Sequence, residues 1–426
     1  MFIMINETAR ININNILERA IDIGQRMLVT GAEVSRVERT INFICRAYGV
    51  RHVDVMVITT SIVVTLRGED IGVLTQMRRV PGQNFDFQRL KALNQLSREI
   101  CAHPMTSDEI KKRIREIDTM EVISLKASLF YWALIAASFS AFFGGRFDDA
   151  VCAGIVGVLL RLLQHLLAQT KLNPYFGLVL LSFVGGMLAN SFMYFGLDIH
   201  PAAINMGNIM PVIPGLALMN SIRDMFSQET ISGLLKSAEA FILSLLIATG
   251  FAFSSSGTII AFQTTWWVYL LTSLIGGFFF HLLWHGHIKD ACVGAVVCMI
   301  AWGFTILFIA LDWNEYAGYF AGAVFATLAA EILARFYKCP ATIFLIIGVI
   351  AMVPGGSLYR TMFYAVAADW EKFGTQGIKT FLYAVSIAAG IVIATAIWET
   401  VKAWLMARTK KDISPSETVC CNTPER

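Results

Sequence analysis

Charge is scarce in this sequence. Lys, Arg, Asp and Glu supply 15% of its 426 residues, where a soluble globular chain carries about 25%. The charges that exist are crowded into residues 1–121 and into a basic tail, and residues 122–405 read as a series of apolar runs. This distribution excludes a wholly soluble protein. It points to an integral membrane protein with a cytosolic N-terminal domain. The formal net charge of +3 is too small for a nucleic-acid-binding surface, so no nucleic-acid partner is expected. The eight cysteines form no CxxC pair and no Cys/His ligand spacing, which leaves neither a metal site nor a disulfide frame. No GxSxG, P-loop or HExxH occurs, so no enzyme and no cofactor is expected. The opening MFIMINETAR has no basic n-region, and its apolar stretch is too short for a secretory signal.

The N-terminal 121 residues read as a small α+β domain. Ile13, Ile16, Leu17, Ala20, Ile23 and Met27 recur at helical spacing, and Val34, Val37, Ile41 and Ile44 form the buried stripe of a second helix. Thr30 followed by Glu33 predicts a capping box at its start. HVDVMVITTSIVVTL, from His52 to Leu66, is β-rich. Arg67 to Asp70 reads as a turn, and Ile71 to Val80 as a returning strand. Residues 85–102 and 107–119 read as helices. Glu33, Arg36 and Glu38 form either a polar site or a solvated face with charge pairs one turn apart.

A spanning helix needs roughly 20 apolar residues. Ten stretches qualify: 123–143, 149–169, 175–197, 201–221 and 234–254, then 264–284, 290–310, 316–337, 340–360 and 378–400. Lys111, Lys112, Arg113 and Arg115 precede the first, and Lys402, Arg408, Lys410 and Lys411 follow the last. With these on the cytosolic side, Lys171, Arg223, Lys236, Lys289, Arg335 and Lys338 fall there too. The other side receives mainly Arg146, Arg360, Lys372 and Lys379. The positive-inside rule therefore places both termini in the cytosol. Trp266, Trp267 and Tyr269 fall in the outer aromatic belt. The tail, residues 407–426, reads as disordered.

The membrane portion repeats itself. GGRFDDAVCAG (144–154) matches HGHIKDACVG (285–294), FVGG (183–186) matches FAGA (320–323), and HPAAI (200–204) matches CPATI (339–343). PVIPG (211–215) matches AMVPG (351–355), and the helix from Gly233 matches the one from Gly377. The halves divide at 122–258 and 259–406, five spans each. An odd number of spans in tandem forces the second copy to enter from the opposite side, which predicts two inverted repeats as in many secondary transporters. Each copy has one span broken at Pro-Gly. Proline removes a donor and clashes with the preceding turn, and freed backbone groups are tolerated at membrane depth only beside a cavity or another protein group. The breaks are thus either simple kinks or the edges of a central binding site. After Pro214 the free N–H groups are those of Gly215, Leu216 and Ala217. After Pro354 they are those of Gly355, Gly356 and Ser357. Such ends suit a carboxylate.

Polar residues at membrane depth complete the candidate site. Arg161, costly at a span centre, either binds a substrate carboxylate or snorkels to the cytosolic edge. Asn205 and Asn208, before the first break, offer hydrogen bonds to a substrate or between helices. Glu239 and Glu331 are candidates for proton coupling, unless Lys236 and Arg335, a turn away, neutralise them. Asp149 and Asp290 start equivalent spans, as coupling groups or as helix caps. His165 and His281 fall near span ends, and Gly318–Gly322 fits close helix packing.

GAEVSRVERT (Gly31–Thr40) resembles the N-terminal signature of the threonine/serine exporter family, a Gly-Ala-Glu followed by Arg-Val-Glu. The ten spans in two halves and the paired Pro-Gly breaks resemble it as well, over residues 10–405. The family also has a two-chain form whose shorter partner resembles residues 262–405, so this chain looks like the fused form. The resemblance implies proton-driven export of threonine and serine, or of a dicarboxylate such as succinate in some branches. It carries over no residue roles. From the residues alone, a passive channel and a membrane enzyme remain alternatives, and the sequence leaves homo-oligomerisation open.

Overall fold

A computed structural model of the chain describes residues 2–68, 72–194, 196–254 and 265–412. The N-terminal segment begins with α1 (Phe2–Val29) and α2 (Val34–Ala47), followed by strands β1 (His52–Ile58), β2 (Ser61–Gly68) and β3 (Gly72–Arg79), and ends with α3 (Phe87–Ala102) and α4 (Ser107–Asp118). The strands form an antiparallel meander in the order β1-β2-β3. Ile62, Val64 and Leu66 alternate inward along the central strand. The single β-rich run expected from His52 to Leu66 is two strands, turned at Thr59-Thr60, because Ser61 to Arg67 fold back on Ile58 to His52. Of the expected turn at Arg67–Asp70, the last two residues lie outside the described ones, but Gly68 pairs with Gly72 across it.

The predicted capping box at Thr30 does not form. Thr30 belongs to the end of α1, where its hydroxyl donates to the carbonyls of Arg26 and Met27, and α2 starts at Val34 without a side-chain cap. Nor is the Glu33-Arg36-Glu38 face a row of local pairs. Glu38 accepts from the Val57 N–H and Arg36 donates to Asn94.

The membrane portion follows as α5 (Leu125–Phe142), α6 (Phe147–Ala168), α7 (Pro174–Tyr194), α8 (Pro201–Ile209), α9 (Gly215–Phe226) and α10 (Thr230–Ser254). Then come α11 (Trp266–Leu283), α12 (Ile288–Ala310), α13 (Glu315–Phe336), α14 (Ala341–Val349), α15 (Gly355–Val366) and α16 (Trp370–Asp412). Eight of these helices are long and apolar enough to cross a bilayer. The remaining four are the short pairs α8/α9 and α14/α15, which occupy the fourth and ninth stretches expected from sequence. Val151, Ile155, Leu159, Leu162 and Leu166 make an exposed apolar stripe down α6, a face suited to lipid. Residues 407–412, expected in the disordered tail, continue α16; residues 413–426 lie outside the described ones.

The halves correspond helix for helix. α8 and α14 have 9 residues each, and α9 and α15 have 12 each. α5 packs on α11, and the pairing of α9 with α16 is matched by that of α15 with α10. Gln228, after α9, and Ala368, after α15, both take positive φ (70° and 56°). Two of the sequence matches are displaced by one turn. Gly250 of α10 sits against Val179, Ser182 and Phe183 of α7, while Gly390 of α16 sits against Phe320, Ala323 and Val324 of α13. FVGG therefore corresponds to residues 324–327 rather than 320–323, and Gly377 corresponds to Ser237 rather than Gly233. A slip of four residues returns to the same helix face, so apolar patterning does not expose it.

The two broken pairs run antiparallel. Glu33 accepts hydrogen bonds from Arg223, late in α9, and from Thr342, at the start of α14. α9 thus runs from its break toward the N-terminal segment, and α14 runs from that segment toward its break. The C-terminal end of α11 also lies against the N-terminal segment. Phe87 N–H donates to the Trp284 carbonyl at 2.9 Å, and Lys91 pairs with Asp290 at 3.2 Å.

Candidate functional site

The two breaks share one construction. The Ile209 carbonyl accepts from Val212 and Ile213, both at 2.9 Å, and the Val349 carbonyl accepts from Met352 and Val353 at 2.8 and 3.0 Å. Pro214 (φ −79°, ψ 39°) and Pro354 (φ −76°, ψ 42°) then start the second helix of each pair. Proline supplies no N–H there, which the first turn of a helix does not need. The glycine after each proline lets the breaks meet. A Cβ on Gly215 would stand 3.0 Å from Gly355 Cα and 2.6 Å from Val353 Cγ1. One on Gly355 would stand 2.8 Å from Ile213 Cγ2.

Where the breaks meet, a cavity of about 940 Å³ opens between them and the N-terminal segment. Pro214, Gly215, Leu216 and Ala217 line it from the first break, Val353 and Gly355 from the second, and Asn220, Arg223, Lys236 and Glu239 from α9 and α10. The opposite wall is made of three loops: residues 31–33, the Thr59-Thr60 turn, and residues 79–85. Its size is within the usual range of a small-molecule site. Gly215, Leu216 and Ala217 of this wall form the first turn of α9, where N–H groups lack an intrahelical partner and carry the partial positive charge of a helix end. The second break differs from expectation, since the Gly355 N–H is taken by the Val353 carbonyl at 2.7 Å.

A line of charges runs along one side of the cavity. Lys236 Nζ lies 2.7 Å from Asp224 Oδ2, Arg223 Nη2 3.9 Å from Asp224 Oδ1, and Arg223 Nη1 3.2 Å from Glu33 Oε1. The Thr342 hydroxyl adds a donor to Glu33 at 3.1 Å. Arg223 and Asp224 are only 8% and 5% exposed, a burial that charges tolerate when each has partners. The Arg223 guanidinium holds the Glu33 carboxyl below the usual range, burial opposes it, and Arg36 helps. Asn220 lines the cavity, and its Oδ1 is buried without a hydrogen-bond partner.

Of the residues expected at the site, Pro214, Gly215, Gly355 and Glu239 line this cavity. Glu239 is exposed rather than buried, and its expected neutraliser Lys236 is bonded to Asp224 instead. Pro354, Gly356 and Ser357 belong to the second break. Ser357 bonds Thr380 and Gln376, and Gly356 packs on Met206 and Phe143. Asn205 and Asn208 are buried behind the first break, where Asn208 Nδ2 donates to the Ala153 and Ile204 carbonyls. Their Oδ1 atoms have no partner.

Other expected residues lie apart from the cavity. Arg161 donates to Ser128 and Gln164 and lies over the Trp132 ring. Arg335, expected to neutralise Glu331, stacks on Trp398 at 4.5 Å, so partly buried Glu331 forms no ion pair with it. Asp149 is fully buried; it accepts from the Arg146 N–H at the start of α6 and from His200 in the α7–α8 connection. Asp290 pairs with Lys91. The sequence reading missed Asn220, Arg223 and Asp224 as site residues. An adjacent Arg-Asp close to apolar runs was the available signal.

Comparison with known proteins agrees with this architecture. The family model described as "Putative threonine/serine exporter" matches residues 18–256, and a second, "Threonine/Serine exporter, ThrE", matches residues 269–397. A "Threonine/serine exporter" of Corynebacterium glutamicum is 25% identical over 420 residues, covering 91% of this chain and 83% of that protein. A "Probable threonine/serine exporter" of Mycobacterium tuberculosis is 21% identical over 401 residues, 89% of this chain and 75% of that protein. A "Probable succinate transporter subunit YjjP" of Escherichia coli is 23% identical over 231 residues, 54% of this chain and 90% of that protein. No solved structure matches. With eight helices fit to cross a bilayer, paired helix breaks over a polar cavity, and a family model matching residues 18–256, this multi-pass membrane protein belongs to the threonine/serine exporter family.

Proposed function

We propose that the protein exports threonine and serine across a bacterial cytoplasmic membrane, drawing on the proton gradient, with the cavity at the two breaks as its cytosol-facing substrate site. The observation that carries this reading is the cavity lining. One helix start offers three backbone N–H groups to a carboxylate, and Glu239 offers an acceptor to an ammonium group. Asn220, on the same wall, brings a side-chain amide to a hydroxyl. A hydroxy amino acid carries all three groups.

The membrane portion is read as ten spans in two inverted five-span repeats, α8/α9 and α14/α15 each counting as one broken span. The antiparallel run of the two pairs supports it, as does the helix-by-helix correspondence. Both termini then lie in the cytosol, and the N-terminal segment is a domain (residues 1–121) that covers the inner mouth. Rocking of one repeat against the other would close the cavity and open the far side. Glu239, on the cavity wall, and Glu331, without an ion pair to Arg335, are the proton-coupling candidates.

A second reading is export of a dicarboxylate, which the Escherichia coli relative's name favours. Arg79, Arg223 and Lys236 outnumber the two carboxylates in the lining, but Arg223 and Lys236 are occupied by Glu33 and Asp224, which leaves less positive charge for a second carboxylate. The test is flux from vesicles reconstituted with the full chain and loaded with threonine, serine or succinate. An imposed proton gradient should accelerate loss of threonine and serine over protein-free vesicles. Acceleration of succinate alone would select the second reading, and acceleration of none would refute both.

A further inference from the structure

The far end of the helix bundle holds an arginine that none of the preceding chemistry uses. Gly215 and Gly355 occupy equivalent places in the two breaks, so Asn220, five residues into its helix, has Arg360 as its counterpart in α15. Asn220 lines the cavity. Arg360 lies beyond the second break, on the side away from Glu33, because α14 runs from Glu33 to that break and α15 continues past it.

Its surroundings are aromatic. Its titratable neighbours are Tyr364, Tyr269, Tyr383 and Tyr319, from α15, α11, α16 and α13. Tyr319 and Tyr383 stack at 4.5 Å, and Trp302 lies edge-on to Tyr319 at 5.8 Å. Phe142 packs on Tyr269 at 5.2 Å and on Trp302 at 5.0 Å. Together these rings form a cluster, here the tyrosine plug, at the end of the bundle remote from the N-terminal segment.

Within this plug Arg360 Nε is buried without a hydrogen-bond partner. Among the described residues no carboxylate pairs with the guanidinium, unlike Arg223, which has Glu33 and Asp224. A partly buried guanidinium whose Nε lacks a hydrogen-bond partner, with tyrosines as its titratable neighbours, suits a planar carboxylate bound by two parallel hydrogen bonds.

We propose that Arg360 is the carboxylate-binding residue of the outer half of the transport path, reached when the tyrosine plug opens, as the α9 start and Asn220 serve the inner half. This rests on the transport reading above.

The test uses right-side-out membrane vesicles containing the full chain and loaded with labelled threonine. Efflux into threonine-free buffer reads the inner face. Stimulation of efflux by unlabelled threonine outside reads the outer face, and threoninamide, which lacks the carboxylate, is the comparison probe. Arg360→Gln is expected to raise the half-maximal outside threonine concentration about tenfold or more. It should change inner-face half-saturation less than about threefold and abolish the preference for threonine over threoninamide at the outer face. Arg360→Lys should fall between Gln and wild type, since it keeps the charge and loses the fork geometry, and it serves where the Gln variant does not reach the membrane. A wild-type outer response in the Gln variant would overturn the proposal. So would an equal loss at both faces with the preference for the carboxylate intact, which marks a structural brace. Wild-type vesicles that exchange neither threonine, serine nor succinate would overturn the transport reading and this inference with it.

Discussion

Glu33 is held by two residues far from it in sequence, Arg223 and Thr342. The Arg223 side chain is 9% exposed and that of Glu33 28%, so removing either partner leaves a charge with poor solvation. Glu33→Gln and Arg223→Gln should each destabilise the purified protein by about 1–3 kcal/mol, and the double variant by less than their sum. The pH dependence has a definite sign. The folded Glu33 carboxyl lies below its ordinary value, so its contribution is present above the usual carboxylate range and is lost as pH falls through the lowered value. The difference in Tm between wild type and Glu33→Gln should therefore be largest near neutrality and vanish in acid. A difference that grows on acidification would refute this account of the pair. Such a contact could not be read from sequence, because Glu33 has plausible partners within two turns in Arg36 and Arg39, and the partner it uses is 190 residues distant. Pro214, Gly215 and Gly355 were readable, since a proline inside an apolar run carries its consequence locally.

The helices themselves were largely visible in the pattern of apolar runs. Eight apolar stretches became continuous helices, and the two containing Pro-Gly became pairs of 9- and 12-residue helices. What periodicity could not fix was the register between the halves. FVGG and FAGA, and likewise Gly233 and Gly377, resemble each other one turn out of step, and only the packing of Gly250 and Gly390 resolves it. The breaks depend on small residues in the same way. Gly215 approaches Gly355 and Val353 so closely that a Cβ has no room, and added carbons in a packed contact cost about 1–3 kcal/mol apiece. Gly215→Val should reach the membrane yet lose most threonine flux, with Gly215→Ala intermediate. Wild-type flux from the Val variant would show that the breaks need not stay in contact.

Taken whole, the molecule joins an α+β segment to a helical membrane portion through a shared polar cavity. Loops 31–33, 59–60 and 79–85 form one wall and the two helix breaks the other, so nothing enters the first break from that side without passing the N-terminal segment. The hydrogen bond from Phe87 to Trp284 and the Lys91–Asp290 pair fasten the same segment to α11 and α12 of the second half. With Glu33 bonded to Arg223 and Thr342, the segment is in contact with both halves. The account stands on the cavity at the breaks being where substrate binds, and Ala217 on its wall reports on that directly. With the eight native cysteines replaced, Ala217→Cys in inside-out vesicles should react with a polar thiol reagent, and threonine should slow that reaction in proportion to its occupancy of the site. Labelling at an unchanged rate in vesicles that transport threonine would place the substrate elsewhere and contradict the account.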